Sequence, residues 1–580
     1  MATCILVDEL KRLKKSSYDA VDNENTFSDF KKYMHIKRPV EDDLINTIET
    51  AKASNKKSLI LVCGNVGDGK SHLISYLKHH ENKYLDGFTI YNDATESRNR
   101  HLDEKQELKR SLHAFCDDEI DDGNVQKVIL AINLGVLSNF IDSEEGAGFR
   151  RLAEYVNNNK ILIDSDIADC NANNDYFYHV NFGDYHIYRL HNETVESPYI
   201  SDIIEKVFGT EAQNTFNQAH NNCSMCELCD CCPVKHNYEM MRNPVAKKGI
   251  INVILETIIK DKKILSTREL LDFLFDIMVH PDFDRKKYGK CDEAARLRKY
   301  IDYSLVSIMY DHKDISEFLA RISKYDFLTQ RTEDFDKIVT EFNNTNEVTK
   351  LLRTNIHPNI FLDYILRYDI DEEANKDSSF REMLLLFFSR MCKIAAKDGK
   401  LNTVNDEFKD YIKYLYYANK REKNGVKELY SMVKNCIYLW NGSVEVGFVN
   451  LNTNHEDYVI STFLEVKPNL IGYDTAHCED IFDRFTPYIN ISFAEKNDPS
   501  KVATVSVDYD LYKMLKKVSV GYRPTVRDNN HFAGFVAFVN KLSGFSKANE
   551  DVQIKHFKKD VQKKYSLKCD EFGTYEFKEM

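Results

Sequence analysis

The stretch SLILVCGNVGDGKSHLISYL, Ser58 to Leu77, decides how the rest of the chain is read. Its first six residues are an uninterrupted, mainly apolar run of the kind that forms a buried strand. Leu73, Ile74 and Leu77 then recur at helical spacing. Between strand and helix, Gly64 to Ser71 fits G-x-x-x-x-G-K-[ST] at every defined position. Glycines at those positions let successive backbone N–H groups turn inward toward phosphate oxygens, and the N-terminus of the following helix adds a favourable dipole. The candidate phosphate-contacting residues are Gly64, Asn65, Val66, Gly67, Asp68, Gly69, Lys70, Ser71 and His72. Lys70 is placed to neutralise β- and γ-phosphates, and the Ser71 hydroxyl to ligate Mg²⁺. The plain alternative is a glycine turn that binds nothing.

A nucleotide hydrolase also needs a group at the end of a neighbouring strand, to hold Mg²⁺ through its ligands or to orient the attacking water. FTIYNDATES offers Asp93 and Glu96 at such a strand end, whereas the more apolar VILAINLG ends in Asn133, which cannot act as a base. Two assignments follow. In one, Asp93 is the Mg²⁺ acid and Asn133 a polar sensor of the γ-phosphate; in the other, VILAIN is the acid strand and is degenerate. Arg268 in ILSTRELLDFL starts a later helix that Ser266 or Thr267 can cap. It is either an arginine aimed at the γ-phosphate or an exposed helix residue.

Working outward, SLILVC, GFTIYND, KVILAIN, KILIDS and YFYHVNF alternate with helical patterns between Lys56 and Leu190, which predicts a mainly parallel sheet with crossover helices. From about Lys248 to Ile437 the apolar residues recur at helical spacing, and between Val444 and Val507 the pattern returns to strands. The expected fold class is an α/β P-loop NTPase domain with a large all-helical region and a small C-terminal β-containing module. The expected divisions are an N-terminal helical segment 1–55, a nucleotide-binding domain 56–210, a cysteine-rich insert 211–247, a helical lid and interaction region 248–437, a β module 438–510 and C-terminal helices with a hairpin 511–580. A chain of 580 residues exceeds one hydrophobic core, and only 10 Pro and 21 Gly point to long helices with few loops. The longest strongly apolar run, Met383 to Phe388, is far short of the roughly 20 residues that span a bilayer. The expectation is a cytoplasmic protein with no membrane segment. A net charge of −13 argues against wholesale nucleic-acid binding by charge, so any DNA contact is local or made by a partner.

CSMCELCDCCPVKHNYE places Cys223, Cys226, Cys229 and Cys232 at three-residue spacing, with Cys231 additional. Thiolates this dense in a reducing compartment are costly to hold together without a metal. Zinc and an iron–sulfur cluster both remain open, as does a metal-free cluster; the run is one residue shorter than the ferredoxin pattern. His220 and His236 flank it. Three basic runs, KKYMHIKRP, RKKYGK with RLRKY, and KHFKKDVQKK, interleave lysine and arginine with aromatic residues. Each is either a phosphate-backbone track or a solvated face.

Taken together, YMHIKRPVE, the Ser58–Leu77 stretch, YNDATES, AINLGVL, CELCDCCPVKHNYE and the late DYDLYKMLKKVSVGYRP resemble the DptF family, the ATP-binding components of DNA phosphorothioation-dependent restriction systems. The resemblance covers most of the chain. It implies ATP and Mg²⁺ as cofactors, DptG-like and DptH-like partner subunits, DNA reached through the complex, and a nuclease residing elsewhere. It carries over to Gly64, Gly67, Gly69, Lys70 and Ser71, and more loosely to Asp93 and Asn133. One departure is that no apolar strand ends in the adjacent Asp-Glu pair common among AAA+ ATPases, which leaves ATP binding as a switch as an alternative to vigorous hydrolysis.

Overall fold

A computed structural model of the chain describes all residues except 1–3, 23–28, 66, 92–103, 163–174, 327–332, 358–359, 398–405, 444, 446, 452–456, 474–475, 497, 546–551, 559–560 and 570–573. It divides into two compact units: residues 1–189, 196–404 and 483–485 in the first, and 190–195, 405–482 and 486–580 in the second.

The first unit is built on a four-stranded parallel sheet. Its strands are β1 (Ser58–Gly64), β2 (Thr89–Tyr91), β3 (Lys127–Asn133) and β4 (Phe177–Asn181), in the order β2-β3-β1-β4. Every residue of β1 is buried, because strands alternate their side chains between two faces and both faces here are covered. Ile60 and Val62 pack with α3 (Pro39–Ala53) and α4 (Lys70–His80) through Val40, Leu44, Ile48, Leu73, Ile74 and Leu77. Leu59, Leu61 and Cys63 face the opposite layer, made by α5 (Glu104–Ser111), α6 (Leu134–Ile141) and α7 (Arg150–Asn158). The expected parallel sheet with crossover helices is therefore present.

One expected strand is not formed over its described part. In KILIDS, Lys160 to Leu162 are a turn, and the remainder lies outside the described residues. Lys160 takes a left-handed φ of 50°, its N–H bonds to Asn157 O at 3.1 Å, and the Ile161 N–H reaches Val156 O at 3.1 Å. This pair of bonds closes the C-terminus of α7, and Ile161 is apolar because it tucks back into the core.

The helical region runs from the Pro244–Lys260 helix to the Lys423–Leu439 helix, and its last two helices, Asp406–Lys420 and Lys423–Leu439, belong to the second unit. That unit also holds a three-stranded antiparallel sheet, ordered 502–507, 489–495, 466–468, and a five-stranded one, ordered 575–579, 561–569, 552–558, 458–463, 448–450. In the latter, three strands from the C-terminal end of the chain pair with two that precede them by most of the unit. No described helix is long and apolar enough to cross a membrane.

Candidate functional site

The loop between β1 and α4 is where the strand–glycine–helix sequence predicts it. Gly67 and Gly69 have φ of +91° and +97°, left-handed values that disfavour any residue with a Cβ. Gly69 is the N-cap of α4 and has no side chain to cap the first turn. The first turn of a helix presents N–H groups that lack intrahelical acceptors, so this end favours an anion.

Two charged side chains shape the loop from within. Lys70 Nζ donates to the carbonyls of Gly64 at 2.9 Å and Asn65 at 2.6 Å. The Asp68 carboxylate accepts the Asn65 N–H at 2.6 Å. Burial raises the Asp68 pKa, while the Asn65 N–H, Lys70 and Arg38 oppose that shift. Val66 lies outside the described residues. Ser71 and His72 are exposed on the first turn of α4. A nitrogen of His72 sits 3.2 Å from one of His35, whose ring stacks on Tyr76.

Asn133 ends β3, and the parallel register sets it directly beside Gly64. Its side-chain oxygen accepts the Gly135 N–H at 2.9 Å, capping α6. The sheet order places β2 one strand beyond β3. Asp93 and Glu96, which follow β2, lie outside the described residues. Arg268 is exposed in the first turn of the Thr267–Asp276 helix. Ser266 forms a capping box with Glu269 at the start of that helix. A Cβ added at Gly67 would come within 2.9 Å of the Ser266 Cβ, so the helix start abuts the loop.

Sequence reasoning missed the role of the segment before α3. KKYMHIKRP reads as a basic run, yet the Tyr33 hydroxyl donates to Lys206 O at 2.6 Å and Met34 is buried. Arg38 donates to the carbonyls of Asp68 and Tyr185, each at 3.0 Å. Carbonyl acceptors leave no mark in a sequence, so nothing but proximity in the fold reveals them. On the far flank of β1, Asp184 is held by Asn181 and Arg484, each at 3.0 Å.

The cysteine run folds as a 3₁₀ turn, Asn222–Met225, followed by further turns into the Pro233–Arg242 helix. Cys226 N–H bonds Cys223 O at 3.0 Å and Cys229 N–H bonds Cys226 O at 2.9 Å, so the three-residue spacing follows the three-residue turn. Cys231 and Cys232 are buried, while Cys223, Cys226 and Cys229 are half-exposed. His236 is buried with its Nδ1 at 2.5 Å from the Tyr300 hydroxyl, and His220 pairs with Glu239 at 2.9 Å. Among the described residues, no group of three or more His, Cys, Asp or Glu is placed to hold a metal ion. Desolvation, followed by the nearby thiols of Cys4 and Cys226, raises the Cys223 pKa to about 12, and desolvation raises Cys232 to about 12 against a hydrogen bond from the Lys235 N–H. Elemental analysis of protein purified anaerobically separates the readings: about one zinc per chain, or iron with acid-labile sulfide, means that the thiolates hold a metal, and the absence of both means packing cysteines. A full equivalent of either would mean that the run repacks around the metal.

No family model, curated protein or solved structure matches the chain, so its function rests on the geometry of its own residues.

Proposed function

We propose that Gly64–Ser71 is a P-loop that binds the phosphates of ATP, and that the protein is the ATP-hydrolysing subunit of a bacterial phosphorothioation-dependent DNA restriction complex. The observation that carries the nucleotide reading is the loop itself. A buried parallel strand feeds two left-handed glycines into the uncapped start of a helix, with Lys70 folded over the loop carbonyls. On nucleotide binding Lys70 exchanges those two carbonyls for phosphate oxygens, and the first turn of α4 supplies N–H donors. The Ser71 hydroxyl and Asp93 are the residues to hold Mg²⁺, which would neutralise phosphate charge. In this reading Asn133, which lies beside Gly64, is the polar sensor of the γ-phosphate, and Arg268 meets the charge that develops on the transferred group.

A second reading is favoured by Asn133, which puts an amide and not a carboxylate at the strand end nearest the loop. In it, the chain is a nucleotide-gated scaffold with little hydrolysis. The DptG-like and DptH-like partners and DNA contact through the complex rest on the family resemblance, and the cytoplasmic setting on cysteines whose distribution does not resemble a disulfide framework. Equilibrium binding of a fluorescent ATP analogue with Mg²⁺, paired with steady-state phosphate release with and without DNA and partners, tests both. Saturable binding with turnover supports the ATPase, and binding without turnover the scaffold. No binding up to roughly millimolar ATP removes both.

A further inference from the structure

Arg38 directly precedes Pro39, and a residue before proline is confined to extended backbone. Its φ and ψ are −115° and 154°. Pro39 then opens α3, whose Val40, Leu44 and Ile48 are locked into the core beneath β1. The guanidinium is thus presented to the glycine loop from a rigid mount. One amino group donates to Asp68 O and the other to Tyr185 O, each at 3.0 Å. In a trans peptide the carbonyl and the following N–H point to opposite sides. Gripping the Asp68 carbonyl therefore turns the Gly69 N–H away from Arg38.

The same guanidinium has a second neighbour. Its central carbon lies 5.4 Å from the centre of the Tyr199 ring. The Tyr199 hydroxyl is 2.6 Å from Thr267 Oγ1, and Thr267 is the residue after Ser266, which abuts Gly67. The contacts close a ring: loop, Arg38, Tyr199, Thr267, Ser266, loop. The Thr267–Asp276 helix in turn packs against α1 (Ile5–Asp22), where Lys14 pairs with Asp276 at 2.7 Å.

We infer that Arg38 is a positioning residue that aims the Gly69 N–H at the bound phosphate and, through Tyr199, ties the state of the loop to the start of the Thr267–Asp276 helix. The inference rests on the nucleotide reading of the loop. Lysine cannot donate to two carbonyls in a fixed fork while stacking on a ring, so Arg38→Lys loses the geometry but keeps the charge. Tyr199→Phe keeps the ring under Arg38 and removes only the hydroxyl that reaches Thr267.

The test measures Mg·ATP affinity for wild type, Arg38→Lys and Tyr199→Phe, and hydrogen exchange of residues 267–276 with and without Mg·ATP. Arg38→Lys is expected to weaken ATP binding about tenfold, the loss of one charge-assisted hydrogen bond. Tyr199→Phe is expected to bind ATP within about twofold of wild type, yet to lose the ATP-dependent protection of residues 267–276 that wild type shows. Wild-type affinity in Arg38→Lys, or retained protection in Tyr199→Phe, overturns the inference while the nucleotide reading stands. Failure of wild type to bind ATP overturns the nucleotide reading and the inference with it. Should Arg38→Lys fold poorly by its urea midpoint, the Tyr199→Phe arm decides alone.

Discussion

Lys70→Ala is expected to lower ATP affinity by about two orders of magnitude and to leave the fold intact. The ammonium makes two hydrogen bonds to loop carbonyls, at 2.9 and 2.6 Å, and a bound phosphate would replace both with stronger, charge-assisted ones. Hydrogen bonds to charged groups contribute about 1.5–3 kcal/mol each, and about 1.4 kcal/mol is a factor of ten. If the loop binds phosphate as proposed, losing those bonds therefore costs roughly 3 kcal/mol of binding. Little stability goes with it, because Lys70 is only half-buried and the carbonyls it leaves can be hydrated. Titration with the ATP analogue gives the affinity and urea unfolding the stability. Unchanged affinity would take Lys70 out of the site, and a collapse of stability would make it a structural residue.

The largest loss of stability is expected at Arg390→Ala, in the helical region and away from the loop. Arg390, on the Ser378–Ala395 helix, is 2% exposed. It grips Asp311 with two bonds at 2.6 and 2.7 Å and Asp326 with one at 2.8 Å. Desolvation pulls its pKa down, but the two carboxylates outweigh burial and hold it above the ordinary arginine value. Asp326 is itself only 6% exposed, so removing Arg390 takes the guanidinium away from a carboxylate that lies out of water. Breaking a buried pair from one side costs about 3–5 kcal/mol, whereas replacing both partners with apolar residues of similar volume is often neutral. Urea unfolding is expected to show that loss for Arg390→Ala and its partial recovery in Arg390→Met/Asp326→Leu. A change below about 1 kcal/mol in the alanine variant would place the pair in the range of exposed ion pairs.

Parts of this architecture are legible from the chain because burial writes itself into composition. The strands β1 and β3 are continuous apolar runs, as a parallel sheet covered on both faces demands, and the register that sets Asn133 beside Gly64 follows from pairing them. KILIDS misleads for the same reason: Ile161 is apolar to close a helix end, and a short apolar run does not distinguish that use from a strand. Arg38 is hidden because its partners are main-chain carbonyls of Asp68 and Tyr185, far apart in sequence. The cysteine spacing is compatible both with a metal site and with the three-residue turns that carry it, so spacing alone does not choose between them. In the second unit the strands are visible locally, but their order is not, since period-2 patterns do not state which strand pairs with which.

The order of the five-stranded sheet also governs how the protein is made. Strands 448–450 and 458–463 leave the ribosome well before 552–558, the strand that pairs with 458–463. Until the final stretch emerges, 458–463 presents an unpaired edge, and open edges recruit strands from other chains. Strand 575–579, the last to arrive, forms the outer border of the finished sheet, with Tyr575 and Phe577 exposed. Premature termination between 486 and 551 thus yields a fragment with every segment of the first unit present and the 458–463 edge still open.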